Sequence, residues 1–470
     1  MTLSPEDFGS SFKTFLDQMA AQGPADEPVF VRHLKTHFEH DPTTLPIVAE
    51  TFEKHEHPDI HLALEDYLAH DERSVNLLGV IGTQAFMGAS LSDLATPAGK
   101  GPWGGTPLSE GPVQYVNVPL EGDRVLTCVQ RGLYLIKDGP RRLAVLLGTG
   151  NDFHPWQQLK VEVMAPERGA AEQFLADLRV ALRKKSIYRG RVLSLSPGQS
   201  HMQGLEVQFH QLPTIGRQDI ILPEGLLDRI ERQTVRFGRH SERLRAAGRH
   251  LKRGLLLHGP PGTGKTLTAM YLANAMRDRT VLLLTGREMG LLRQSCSMAR
   301  LLQPSIVVLE DVDLVAEERT QQAGCATPVL FELLNEMDGL AEDADILFLL
   351  TTNRPELLEP ALAARPGRID QAIEVPLPDA DCRRRLFDLY GRGLTLDVPD
   401  WQNFIARTEG ASAAFIRELM RKAALFAIDE GPDGRVTARH LDEALRDLIV
   451  YGGHLTRSLL GFQSGERTTR

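Results

Sequence analysis

Cysteine is scarce. The 470 residues hold four, Cys128, Cys296, Cys325 and Cys382. None stands at metal-ligand spacing from another, so neither a zinc knuckle nor a disulfide framework is implied. Reduced thiols, and the lack of a basic-then-apolar leader, point to a cytoplasmic protein. Aromatic residues make up only 6% of the chain, so its cores must rest on Leu, Val and Ile. Long hydrophobic runs are missing too. Residues 74–92 carry no charge, but Asn76, Gly79, Gly82, Thr83, Gln84 and Gly88 interrupt them. A spanning helix needs about 20 predominantly apolar residues, so no membrane span is expected. Nor is there an excess of positive charge. With 53 Lys+Arg against 62 Asp+Glu the net is −9, which does not suggest a dedicated nucleic-acid binder.

What the chain does have is unevenly spread. Residues 1–112 hold 6 Lys/Arg and 17 Asp/Glu, a net of −11, while the rest is close to neutral. An acidic block at one end reads as an interaction surface. At roughly 100–200 residues per domain, the length suggests two to four domains. Residues 1–95 read as an acidic helical region, with Asp41-Pro42 and His57-Pro58 as breaks and Leu62, Leu64 and Leu68 as a short apolar stripe. The Gly/Pro-rich text of 96–112 reads as a linker. In 113–210 the apolar runs VQYVNV, RVLTCV and RLAVLL, an amphipathic helix near 168–185 and the runs VLSL and LEVQF predict a small α+β domain. From residue 211 short apolar strands alternate with helices, the pattern of an α/β parallel sheet with crossover helices.

The sharpest signal is LLLH followed by GPPGTGKT at 259–266, which fits G-x-x-x-x-G-K-[ST] between an apolar strand and a helix. The residues expected to bind nucleotide are Gly259, Pro260, Pro261, Gly262, Thr263, Gly264, Lys265, Thr266 and Leu267. The glycines let backbone N–H groups curl around phosphates, and the following helix offers its positive N-terminus. Lys265 would reach the β- and γ-phosphates, and the Thr266 hydroxyl would hold Mg²⁺. A second apolar strand, IVVL at 306–309, ends in Glu310 and Asp311. Acids at the C-terminal edge of such a strand lie where open α/β sheets bind ligands. One would support the metal's water shell and the other would orient the attacking water.

With these motifs, and with LLTTNRPELLEPALAARPGRIDQAIEVPLPD at 349–379 and TEGASAAFIRELMRKAA at 408–424, the chain resembles the AAA ATPases over about 215–450. The resemblance implies a P-loop NTPase α/β domain at 211–378, a helical lid at 379–455 and a tail at 456–470. It places Asn353 at the sensor of the γ-phosphate. Arg365 and Arg368 fall on paired fingers that reach a neighbouring subunit's site, and Gly410 and Ala411 lie near the nucleotide. It further implies ATP and Mg²⁺ as cofactors and a homo-oligomeric ring, a hexamer.

The sequence departs from the family pattern in two places. The acids run Glu310-Asp311 where the usual order is Asp-Glu, an order shared with the mitochondrial translocase of the Rieske protein; Glu310 is assigned to Mg²⁺ and Asp311 to water. Only 19 residues separate Thr285 from Ser305, with no Phe, Tyr or Trp among them, so an aromatic pore loop is not expected. Met289, Leu291 and Leu292 read as helix core or as a soft apolar rim.

Other patterns weigh less. His33, His37, His40, His55, His57 and His61 read as solvated or capping rather than zinc-binding. The absence of H-E-x-x-H removes the family's membrane proteases as guides. The basic run at 232–253 could touch nucleic acid, but the resemblance places it at the subunit interface as an amphipathic helix. The expectation is a ring-forming ATPase that remodels protein partners, with no membrane and no nucleic acid as partners. The alternative is an ATP-binding switch or scaffold with slow or no hydrolysis.

Overall fold

The computed structural model describes residues 9, 11–14, 27–70, 72–82, 89–96, 108–122, 124–149, 158–197, 205–313, 328–339, 341, 343–358, 369–431 and 434–451. They fall into two compact units, one of residues 1–187 with 197–206 and the other of 188–196 with 207–470.

In the first unit α1 (Val29–Phe38), β1 (Ile47–Phe52), α2 (His57–Leu68), β2 (Arg73–Ile81) and α3 (Leu91–Ala95) precede β3 (Ser109–Gly111) and β4 (Gln114–Pro119). Next come β5 (Val125–Asp138), β6 (Arg141–Thr149), β7 (Leu159–Met164) and α4 (Arg168–Lys185). The seven strands form one sheet in the order β1-β7-β6-β5-β2-β3, with β4 also paired to β5. Strand alternation divides its core in two. Tyr134, Ile136, Leu143 and Val145 pack with Ile60 and Leu64 of α2 and Phe174, Leu175 and Leu178 of α4. Leu133, Leu135, Ala144 and Leu146 pack with Phe30 and Leu34 of α1 and Leu91 and Leu94 of α3.

This arrangement corrects the expectation of a helical region at 1–95 separate from an α+β domain at 113–210. β1 pairs with β7 and β2 with β5, so residues 47–81 belong to the same sheet as residues 125–164. The charge-free stretch from residue 74 begins as β2, and part of the expected linker, 109–111, is β3. No helix among the described residues is long and apolar enough to cross a membrane. The histidines differ as well. His37, His57 and His61 are buried rather than solvated, and His37 and His57 face the carbonyl oxygens of Leu143 and Val129 at 3.1 and 2.7 Å. Burial lowers both of their pKa values. Among the described residues, no group of three His, Cys, Asp or Glu is placed to hold a metal ion.

The second unit holds a seven-stranded sheet. β8 (Val192–Pro197) and β9 (Leu205–His210) are followed by α5 (Leu226–Gln233), α6 (Val235–Arg239), α7 (Ser241–Ala246), β10 (Arg253–His258) and α8 (Lys265–Ala275). β11 (Thr280–Leu284), α9 (Leu292–Leu301), β12 (Ser305–Leu309), α10 (Pro328–Asp338), β13 (Ile346–Thr352) and β14 (Gln371–Glu374) complete it. The order is β14-β10-β13-β12-β11-β8-β9. β8 pairs parallel with β11, so the runs at 192–195 and 205–209 extend this sheet instead of closing the α+β domain. β12 and β13 are buried along their whole lengths, as strands covered on both faces must be. The basic run at 232–253 folds as short helices, not one long one, and the Arg253 guanidinium lies 3.9 Å over the Phe237 ring.

The lid is a cluster of four helices, α11 (Ala380–Tyr390), α12 (Trp401–Arg407), α13 (Ala413–Glu430) and α14 (Ala438–Arg446). Phe387, Phe404, Phe415, Leu419 and Leu441 pack at its centre. Asp379 and Ser412 cap α11 and α13 by accepting from the N–H groups of Cys382 and Phe415.

A buried ion pair ties the start of β11 to the start of β13. Arg279 and Asp345, 4% and 8% exposed, meet at 2.7 Å. Replacing Asp345 with Ala strands the guanidinium, and chemical denaturation should show a loss of about 3–5 kcal/mol. Replacing both partners with Leu should cost less than that single change, because no charge is then left buried alone.

Candidate nucleotide site

The parallel register sets the geometry. β13 lies between β10 and β12, with His258 opposite Thr352 and Leu309 opposite Leu350. The loop after β10, the acids after β12 and the residue after β13 therefore converge at one edge, where strand C-termini and helix N-termini meet. A cleft of about 340 Å³ opens there.

One wall is the loop 261–266 with Leu267 and Thr268. Gly259 and Pro260 sit behind it, and their carbonyl oxygens accept from Lys265 Nζ at 2.9 and 2.8 Å. Gly259 has φ 141°, and a Cβ there would overlap the Val375 carbonyl oxygen. Gly262 has φ 75°, and a Cβ would lie 2.7 Å from Ser412 Oγ and 2.9 Å from the Ala414 Cβ. That closeness lets the lid touch the loop, for the Ala414 N–H donates to the Gly262 carbonyl at 3.0 Å.

The acidic edge carries the other polar groups. Asp311 and Asn353 both line the cleft, and Asn353 Nδ2 donates to Asp311 Oδ1 at 3.2 Å. Asp313 is buried; its Oδ1 accepts from the Thr352 hydroxyl at 2.8 Å and the Asn353 N–H at 3.2 Å. Glu310 Oε1 is buried with no hydrogen-bond partner among the described residues. Thr266 and Asp311 line the cleft with the hard oxygen donors that Mg²⁺ takes, while Glu310, which does not line it, would reach the ion through water.

Electrostatics follow from crowding. Burial pushes the Lys265 ammonium down to about 8, against the pull of Asp311 and Asp313. Burial raises Glu310, helped by the charge of Asp311. It also raises Asp311, helped by Asp313 and opposed by Lys265 and Asn353.

Most of the expected site residues line the cleft, but Glu310, Gly259 and Pro260 are not among its lining residues, and neither are the two expected from the lid. Gly410 does not line the cleft, and Ala411 is fully buried in the lid core. Ala413, Ala414 and Arg417 take the lid's place at the cleft, because Ser412 ends the turn and starts α13 at the opening. Asp219, Ile220, Ile221, Leu222, Leu386 and Tyr390 line the rest of the cleft, a group apolar but for Asp219 and suited to a nucleotide base. No motif announced them. Arg365 and Arg368 lie outside the described residues. Met289, in the turn before α9, and Leu292, the first residue of α9, are both buried, in keeping with the helix-core reading of that segment.

Residues 255–377 match the family described as "ATPase family associated with various cellular activities (AAA)". The chain is 31% identical over 355 residues to human "ATPase family gene 2 protein homolog A", covering 70% of this chain and 39% of that protein. It is 33% identical over 269 residues to the "Proteasome-activating nucleotidase" of Methanopyrus kandleri, covering 54% and 60%. A third similarity, 32% over 279 residues, is to "ATP-dependent zinc metalloprotease FtsH 2" of Symbiobacterium thermophilum, covering 56% and 45%. The chain thus spans less than two thirds of the length of each of these relatives.

The Lys265 ammonium gives the free cleft a pH signature. Bound phosphates would hold its proton, so nucleotide affinity should be flat below a pH of about 8. Above it binding must take up a proton, and affinity should fall by up to ~10-fold per pH unit. Titrations with a fluorescent nucleotide from about pH 6.5 to about pH 9.5 check this, and a flat profile across the range would contradict it.

Proposed function

We propose that this chain, which carries an AAA-family P-loop ATPase domain, hydrolyses ATP in a homo-oligomeric ring, a hexamer, and couples hydrolysis to remodelling of protein partners. The observation that carries the proposal is the meeting of Lys265, Asp311 and Asn353 at one cleft beneath the lid helix. The names of the relatives, a proteasome-activating nucleotidase among them, support a protein as the object of the work.

In this reading the N–H groups of the loop 261–266 and the N-terminus of α8 cradle the phosphates, and Lys265 gives up its two carbonyl partners to reach them. The Thr266 hydroxyl, and Glu310 through water, would hold Mg²⁺, which when bound neutralises phosphate charge. Asp311 faces the cleft and takes a proton from the attacking water, and Asn353 holds that water or a phosphate oxygen in place without adding charge. Arg365 and Arg368 act across a subunit boundary, where a planar cation can meet charge developing on the phosphoryl group. Ile220, Leu222 and Tyr390 enclose the base, and the contact of Ala414 with Gly262 lets the lid follow the state of the phosphates. A cytoplasmic location, and a role for the first unit in choosing partners, belong to the same proposal. The structured region 286–301 offers no aromatic side chain, so partners would be moved by something other than an aromatic paddle.

Steady-state ATP turnover per subunit, measured over a range of protein concentrations, tests the proposal. Turnover should rise with concentration as the ring assembles and fall by roughly 10³-fold or more in both Lys265→Ala and Arg368→Ala. ATP binding with no turnover at any concentration would instead support the switch.

A further inference from the structure

We propose that Thr351 is a positioning residue for hydrolysis: its buried hydroxyl holds Asp311 in the backbone conformation that turns the Asp311 carboxylate toward Asn353 and the cleft. The inference rests on the reading of the site as an ATPase centre and goes on to say what makes its acidic edge work.

Asp311 has φ 47°, in the left-handed region. Among non-glycine residues Asn and Asp are enriched several-fold in that region, although Glu39 also adopts it, at the end of α1. A longer carboxylate at 311 would suit this backbone less well, which gives the Glu310-Asp311 order a local physical reason. A left-handed residue outside a turn must be held by its surroundings. Here the holder is specific: the Asp311 N–H donates to Thr351 Oγ1 at 3.1 Å. Thr351 is fully buried, so no solvent can take over as acceptor.

The neighbouring bonds complete a clasp between the ends of β12 and β13. Asp313 Oδ1 accepts from the Thr352 hydroxyl and from the Asn353 N–H. With Asp311 held by Thr351 and Asn353 held by Asp313, the two side chains that face the cleft meet at 3.2 Å. Thr351 itself does not line the cleft, and therefore acts only through Asp311.

Thr351→Val keeps the shape and removes the acceptor. It should lower kcat by roughly 10²-fold through misplacement of the carboxylate, with KM and the equilibrium affinity for ATP unchanged. Thr351→Ser restores the hydroxyl and should restore most of the turnover. In an Asp311→Asn background, Thr351→Val should cost nothing further, because the two residues act as one unit. Thr351→Ala, which removes the acceptor without crowding, serves if the Val variant does not fold. A Val variant with the wild-type kcat overturns the proposal. So does a Ser variant that loses turnover, ATP affinity and melting temperature together with Val, since that pattern marks a merely structural residue. Wild-type protein that binds ATP but never turns it over sinks the ATPase reading and this role together. Normal wild-type turnover with an unaffected Val variant sinks this role alone.

Discussion

The site depends on one constraint: β13 is held in parallel register between the strand that leads into the phosphate loop and the strand that ends in the acids. Parallel ladders admit little freedom where both faces are buried, since a slip of one residue would exchange the side chains packed on the two faces and break both cores. The β13 segment Ile346–Thr352 is buried at every position. Its end can therefore serve as a fixed post. Thr351 meets Asp311 on one side, Thr352 meets Asp313, and Asn353 emerges into the cleft beside Lys265. The ion pair of Arg279 with Asp345 anchors the opposite end of the same strand.

Charge is the second organising element. Lys265 is a buried cation facing the acids at 311 and 313, and burial works against the charged forms of both Lys265 and Asp311. The two carbonyl oxygens that accept from Lys265 Nζ hold the ammonium close to where phosphate oxygens would replace them. Among the described residues, Glu310 has no such partner for its buried Oε1. Two adjacent carboxylates thus stand in different environments, and different environments are how neighbouring acids acquire different tasks.

Much of this was legible in the sequence. The loop 259–266 declares itself because backbone wrapped around phosphate demands glycine and lysine at set intervals, and the structure explains two of those glycines by the approach of Val375 and Ser412. The acids and Asn353 could be read because each ends an apolar strand. Thr351 and Asp313 could not be assigned their parts, since their bonds depend on strand register across 39 or more residues of chain. Ile220, Leu386 and Tyr390 carry no motif because a base needs only apolar surface. Gly410 and Ala411, whose place beside the nucleotide rests on the resemblance alone, precede the helix that Ser412 starts. The first unit misled for a related reason. β1 and β2 find their partners at β7 and β5, and a segment such as 73–81 becomes a strand through distant pairing that its own pattern does not announce.

The central claim is that Asp311, not Glu310, is the carboxylate that acts on water. Single-turnover hydrolysis of saturating ATP by Asp311→Asn and Glu310→Gln, across a range of Mg²⁺ concentrations, tests it most directly. The account predicts that Asp311→Asn binds ATP and leaves it intact at every Mg²⁺ concentration, while Glu310→Gln still hydrolyses it but needs more Mg²⁺. Loss of hydrolysis in Glu310→Gln with an unaltered Mg²⁺ requirement, beside an active Asp311→Asn, would contradict it.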